Sequence, residues 1–238
     1  VMLKTLAQTQ SVCQQDEMEL GSILIDLGAG TTDVLVLFNG APVSTASVPV
    51  GGNLVTNDIS VVAGISVATA EEIKVKYGCC WIPNITPEND VEIILPGVGG
   101  RSPDVMMRSE LCPIIQARVE QIFKMVKAAI VKNTNDSIKQ LSGNIILTGG
   151  GAMMDGVIDL AQNVFKTSSV RLGVPENLGG IPEDYRRPDF ATAIGLVLAN
   201  KSLIQSHDSK KKIRGHAVKK DKSKSGESIL KKIFKSFF

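Results

Sequence analysis

The sequence predicts an α/β fold followed by a basic, amphipathic tail. Two observations carry the fold. Ile23 to Leu37, ILIDLGAGTTDVLVL, reads as an apolar strand, a glycine turn with hydroxyls, and a second apolar strand. Asn144 to Asp155, NIILTGGGAMMD, repeats the opening of that plan as strand, glycine loop and helix. A third observation sets the tail apart. From Lys201 onward twelve Lys and Arg face three Asp and Glu, a net of +9, although the whole chain carries only +2. An acidic body with a basic tail is an interaction architecture.

In chain order, Leu3 to Gln15 reads as a helix. Residues 21 to about 57 form the glycine hairpin and its next strand. Glycines let a backbone turn tightly and bring its N–H groups close to an anion. Gly28 and Gly30, with the hydroxyls of Thr31 and Thr32, therefore suit phosphate. Asp26, ending the first strand, suits a hydrated Mg²⁺, which needs few direct protein ligands. No GK[ST] and no helix follow, so this is not a Walker loop, and an ordinary tight hairpin has the same glycines.

Val48-Pro49-Val50-Gly51-Gly52 breaks into a helix near Asn53. A helical pair, a strand near Val91 to Leu95 and a long helix from Ser109 to Lys132 follow. Pro83, Pro87, Pro96 and Pro103 mark loops around that strand. Ala70-Glu71-Glu72-Ile73-Lys74 falls on a helix, with Glu71 and Lys74 on one face. Taken alone the pair reads better as a solvated helical salt bridge, although it could reach ribose hydroxyls. After the Asn144 strand, Gly149, Gly150 and Gly151 suit a loop pressed against a flat ligand face. A helix from about Met154 to Phe165 places N–H groups nearby. A strand ends near Val174, and Pro188 to Leu203 is a short helix.

Four cysteines and two histidines form no metal-ligand pattern, and the cysteines read as reduced thiols of a cytosolic protein. No run of about 18 apolar residues occurs, and no signal peptide.

Together these pieces resemble the actin-like ATPase superfamily. Its D-x-G-x-G-T loop corresponds to Asp26 to Thr31, its A-E-x-x-K helix to Ala70 to Lys74, and its adenine loop to Gly149 to Gly151. SVPVGGNLVTNDIS (47–60), IIQARVEQIFKMV (114–126), ILTGGGA and RPDFATAIGL (187–196) narrow the resemblance to the FtsA family of cell-division proteins. That resemblance implies an actin-like, ribonuclease H-like second half, with a mixed sheet flanked by helices. Residues 1–20 become a helix from the first half. Residues 21–58 and 132–187 become the nucleotide core, subdomain 2A, and 59–131 an inserted subdomain 2B. Residues 188–203 become a helix of subdomain 1A whose packing partner is missing. Nucleotide lies between two halves in this superfamily, and no first phosphate loop precedes residue 23. The chain therefore reads as a C-terminal fragment, a split gene or a mis-called start. The resemblance implies ATP and Mg²⁺ in the complete protein, weak ATPase activity at most, and self-assembly into filaments. It also implies capture of the C-terminal peptide of FtsZ by subdomain 2B. Arg118, Lys124 and Lys127 on the long helix suit that acidic peptide, or a solvated helix face.

Residues 204–225 read as a flexible linker, rich in Lys, Ser, Asp and Gly. Residues 226–238, GESILKKIFKSFF, segregate sharply on a helix. Ile229, Leu230, Ile233, Phe234, Phe237 and Phe238 share about 180° of arc, with Lys231, Lys232 and Lys235 opposite. Too short to span a bilayer, this segment suits the surface of an anionic phospholipid membrane. Each lysine contributes about 1 kcal/mol there. Terminal phenylalanines favour a bilayer over nucleic acid. Docking on a protein groove stays open. The expected location is the cytoplasmic face of the cell membrane at the division site.

Overall fold

The computed structural model describes residues 1–97, 99–100, 102–134, 144–176 and 182–200. Two short helices, α1 (Lys4–Val12) and α2 (Gln15–Leu20), open the chain. The single helix expected over Leu3 to Gln15 is interrupted, because Cys13 and Gln14 are extended. Side chains hold the break open. Glu17 accepts from the Gln14 backbone N–H at 2.8 Å, filling one of the orphan donors at the start of α2. Arg171 donates to the Val12 carbonyl at 2.7 Å and to both Glu17 oxygens at 2.6 and 2.5 Å.

Then come β1 (Ser22–Leu27), β2 (Thr32–Phe38) and β3 (Ala41–Val48), followed by α3 (Gly52–Ala63) and α4 (Val67–Tyr77). Ser66 caps α4 by accepting from the Thr69 N–H at 3.1 Å. A two-stranded hairpin, β4 (Glu92–Leu95) and β5 (Asp104–Met107), leads into the 27-residue α5 (Arg108–Thr134). The sequence reading has no β5. Pairing with β4 makes this strand. The chain returns through β6 (Asn144–Thr148), α6 (Val157–Phe165) and β7 (Val170–Leu172), and residues 191–200 form α7. The expected helix start at Met154 falls later, because Gly150–Met153 is a 3-10 turn.

The main sheet runs β3-β2-β1-β6-β7. β1 is antiparallel to β2 and parallel to β6, so the sheet is mixed, as expected. All six residues of β1 are buried, which marks it as the central strand. Strand alternation splits the core. Ile23, Ile25, Val34, Val36, Ile145 and Leu147 face the cluster that contains Phe123 and Val126 of α5 and Leu160 of α6. Leu24, Leu35, Leu37 and Ile146 face Val12 and Ala191 on the opposite side. Each fully buried side chain of this kind contributes about 1.5–3 kcal/mol.

The sequence reading leaves the 188–203 helix without its partner; in the structure α7 packs on α1. Ser11 Oγ donates to the Ala191 carbonyl at 2.7 Å, and Gln8 Nε2 to Thr192 Oγ1 at 2.9 Å. The two helices cross at Gly195, where a Cβ would lie 1.9 Å from the Ala7 carbonyl oxygen. The boundary expected between residues 58 and 59 falls inside α3.

Candidate nucleotide site

Three glycine-bearing turns converge at the C-terminal ends of β1 and β6. The first is the 28–31 turn of the β1–β2 hairpin. The second, Gly51 and Gly52, opens α3 and packs directly on it. Gly52 N–H donates to the Gly28 carbonyl at 2.9 Å and Asn53 N–H to the Ala29 carbonyl at 2.8 Å. A Cβ on Gly51 would lie 2.5 Å from the Gly28 oxygen, so no larger residue permits this approach. The third turn, Gly149 to Gly151, lies against Asp26 and Leu27. Gly149 has φ +84, and a Cβ there would meet Asp26 Oδ1 at 2.2 Å. Gly30 and Gly150 differ from these. Both are exposed, and the space a Cβ would take holds nothing within 4 Å. These two open glycines are where a ligand can press against backbone.

Thr31 lies at the exposed tip and donates to Asp33 Oδ2 at 3.2 Å. Thr32, expected beside it on phosphate, points elsewhere. It is fully buried, and its hydroxyl donates to the Val50 carbonyl at 2.8 Å. Period 2 along β2 turns adjacent side chains to opposite faces. Thr32 therefore ties the hairpin to the approach of α3.

Asp26 is 3% exposed. Its Oδ2 accepts from Gln8 Nε2 at 2.6 Å and pairs with Lys4 Nζ at 2.8 Å, and Oδ1 faces Gly149. The same ammonium reaches Asp33 Oδ2 at 2.5 Å. Burial works against both charges. For Asp33 the hydrogen bonds from Lys4, Ser47 and Thr31 outweigh it and hold the carboxyl below its ordinary range. For Lys4 the two carboxylates outweigh it and raise the ammonium above its ordinary value. Lys4 thus already stands against the Asp26 carboxylate, on the group expected to hold a hydrated Mg²⁺. Among the described residues no group of three or more His, Cys, Asp or Glu is placed to hold a metal.

Glu71 and Lys74 share a face, as their spacing predicts. Lys74 is largely buried while Glu71 stays half exposed, and the pair has further partners. Lys74 Nζ donates to Glu71 at 2.6 Å, to Thr56 Oγ1 at 2.8 Å and to the Gly52 carbonyl at 3.2 Å, and Thr56 donates to Glu71. Partial burial opposes the Glu71 charge, but Lys74 and Thr56 keep its carboxyl below the ordinary range. The cluster shares Gly52 with the Gly28–Gly52 contact, so α4 is tied to the same turns. Lys4, Gln8 and Thr56 are site residues the sequence reading omits. Lys4 and Gln8 lie on a helix 18 or more residues upstream of Asp26, and no local motif points to them.

On the long helix, Arg118 clamps Asp58 of α3 with two bonds, 2.5 Å from Nε and 2.7 Å from Nη2. The pair lines a cavity of about 380 Å³ with Val61, Val62, Ile114 and Ala117. Lys124 pairs with Glu120 at 2.6 Å, and Lys127 donates to the Val164 carbonyl at the end of α6. Neither lysine lines that cavity. The tail residues Ile229, Leu230, Lys231, Lys232, Ile233, Phe234, Lys235, Phe237 and Phe238 lie outside the described residues. Among the described residues no helix is long and apolar enough to cross a membrane.

The fold is actin-like, as its matches to solved structures show. The fold matches MreB5 of Spiroplasma citri bound to ADP with TM-score 0.66 at 17% identity, covering 87% of this chain and 61% of that one. It matches the MamK double helical filament with TM-score 0.58 at 19% identity, covering 83% and 58%. Sequence is more specific. The family model for cell division protein FtsA matches residues 23–195. The FtsA of Borreliella burgdorferi is 36% identical over 222 residues, 93% of this chain and 52% of its own. That of Neisseria meningitidis is 40% identical over 200 residues, 84% and 47%, and that of Escherichia coli K12 37% over 197 residues, 81% and 46%. The chain belongs to the FtsA family. It spans about half the length of the curated relatives it matches.

Proposed function

We propose that the chain is the nucleotide-gripping half of an actin-like cell-division scaffold that tethers FtsZ filaments to the cytoplasmic membrane. The observation that carries the nucleotide part is the convergence of three glycine turns with Gly30 and Gly150 left open. Gly28, Gly30 and Thr31 receive phosphate oxygens, Glu71 and Lys74 the ribose, and Gly150 and Gly151 the adenine face. Fold neighbours named as ADP- and AMPPNP-bound support this assignment. ATP favours assembly of copies into filaments rather than turnover.

The cavity beside Arg118 takes the C-terminal peptide of FtsZ. Val61 and Val62 are exposed beside the Asp58–Arg118 pair, so the cavity offers apolar contact next to a guanidinium that suits a carboxylate. Residues 226–238 hold the assembly on anionic lipid at the division site. One short tail binds weakly, and polymerised copies bind by avidity.

Titration of a fluorescent ATP analogue into the chain tests the central claim. Saturable binding, weakened by Gly150→Val, is the expected result. Binding indifferent to that substitution removes the adenine assignment.

A further inference from the structure

We infer that Lys4 is a phosphate-site residue whose ammonium does, from within the chain, part of the work of a divalent cation. The inference rests on the nucleotide reading above and assigns a group that reading did not contain.

Asp26 and Asp33 are direct partners in the β1–β2 register. Two carboxylates facing each other across an antiparallel pair repel, and such a pair collects a cation. Here the cation is Lys4, at 2.8 Å from one and 2.5 Å from the other. Its position is poor for its own helix. Lys4 is the first residue of α1, where the helix dipole favours negative charge. The carboxylates of the hairpin hold it there.

The ammonium also stands at the turn. A Cβ on Gly28 would lie 4.0 Å from Nζ, and the Lys4 side chain remains 40% exposed. An ammonium has three N–H donors. Two meet Asp26 and Asp33, and the third is available to an anion seated over Gly28 and Gly30. A phosphate oxygen there gains a positive partner without a metal. Phosphate binding at this hairpin therefore persists when Mg²⁺ is removed.

The test measures affinity for ATP, ADP and adenosine in Mg²⁺ and in EDTA, for the full chain and for Lys4→Met and Lys4→Arg. The full chain is expected to hold ATP about equally in both buffers. Lys4→Met is expected to lose about tenfold or more in EDTA, the scale of one charge-assisted hydrogen bond. It should recover part of that loss in Mg²⁺, since two freed carboxylates then accept the metal. Lys4→Arg should keep metal-free binding. Adenosine, lacking phosphate, should be unaffected, and this separates a local role from loss of fold in Lys4→Met. If the full chain loses ATP in EDTA, or Lys4→Met binds ATP as well as the full chain does, the inference falls and the nucleotide reading stands. If no form binds any of the three ligands in either buffer, the nucleotide reading falls and takes the inference with it.

Discussion

At the scale of single residues, the glycines separate into two kinds that look alike in sequence. Gly149 is a backbone necessity, with positive φ and no room for a methyl beside Asp26 and Leu27. Gly149→Ala should lose more than about 2 kcal/mol in a denaturant titration. Gly150 has open space around it, and Gly150→Ala should stay within about 0.5 kcal/mol of the parent. Thr31 and Thr32 separate in the same way. Both were legible as hydroxyls at a glycine turn, but only the sheet shows that Thr32 points to Val50. Glu17 supports a prediction about acid. Burial opposes its charge, yet Arg171 and the Gln14 N–H outweigh burial and lower its carboxyl below the ordinary 4.5. A lowered folded value means that the stabilisation is complete above about pH 4.5. It is lost as pH falls through the folded value. Glu17→Gln should therefore be less stable than the parent by about 1–2 kcal/mol near neutrality, reduced by solvent screening. The difference should close below pH 4.5 when stability is followed by circular dichroism.

At the scale of elements, the strands and most helices were readable because their signals are local. Val34 to Phe38 is apolar and β-rich, and Glu71 and Lys74 give α4 a defined face. Contacts made by pairing were not readable. β5 exists because β4 lies beside it, and the 188–203 helix was legible while its partner α1, some 180 residues away in sequence, was not. The crossing of those helices depends on Gly195. Gly195→Ala puts a methyl 1.9 Å from the Ala7 carbonyl oxygen, and backbone cannot move aside as a side chain can. The expected result is a loss of more than about 2 kcal/mol, with α1 displaced from Asp26. Because Lys4 and Gln8 ride on α1, the same substitution should also weaken ATP binding.

At the scale of the whole molecule, charge divides the chain into a body of net −7 and a tail of net +9. The amphipathic end predicts a test that leaves the body intact. A version ending at Ser225 should fail to sediment with anionic vesicles that pellet the full chain. If both stay in solution even when dimerised, the tail serves a different partner. By itself the sequence determined the family, the α/β class, the turn-bearing glycines and the tail's segregated faces. Each of these is written in neighbouring residues or in spacing that a helix or strand repeats. Only the tertiary structure decided which groups stand together. It set Lys4 between Asp26 and Asp33, buried the Thr32 hydroxyl, engaged Lys74 with Gly52 and Thr56, and gave α7 its partner. Those choices depend on contacts between segments far apart in the chain, and no local pattern of residues encodes them.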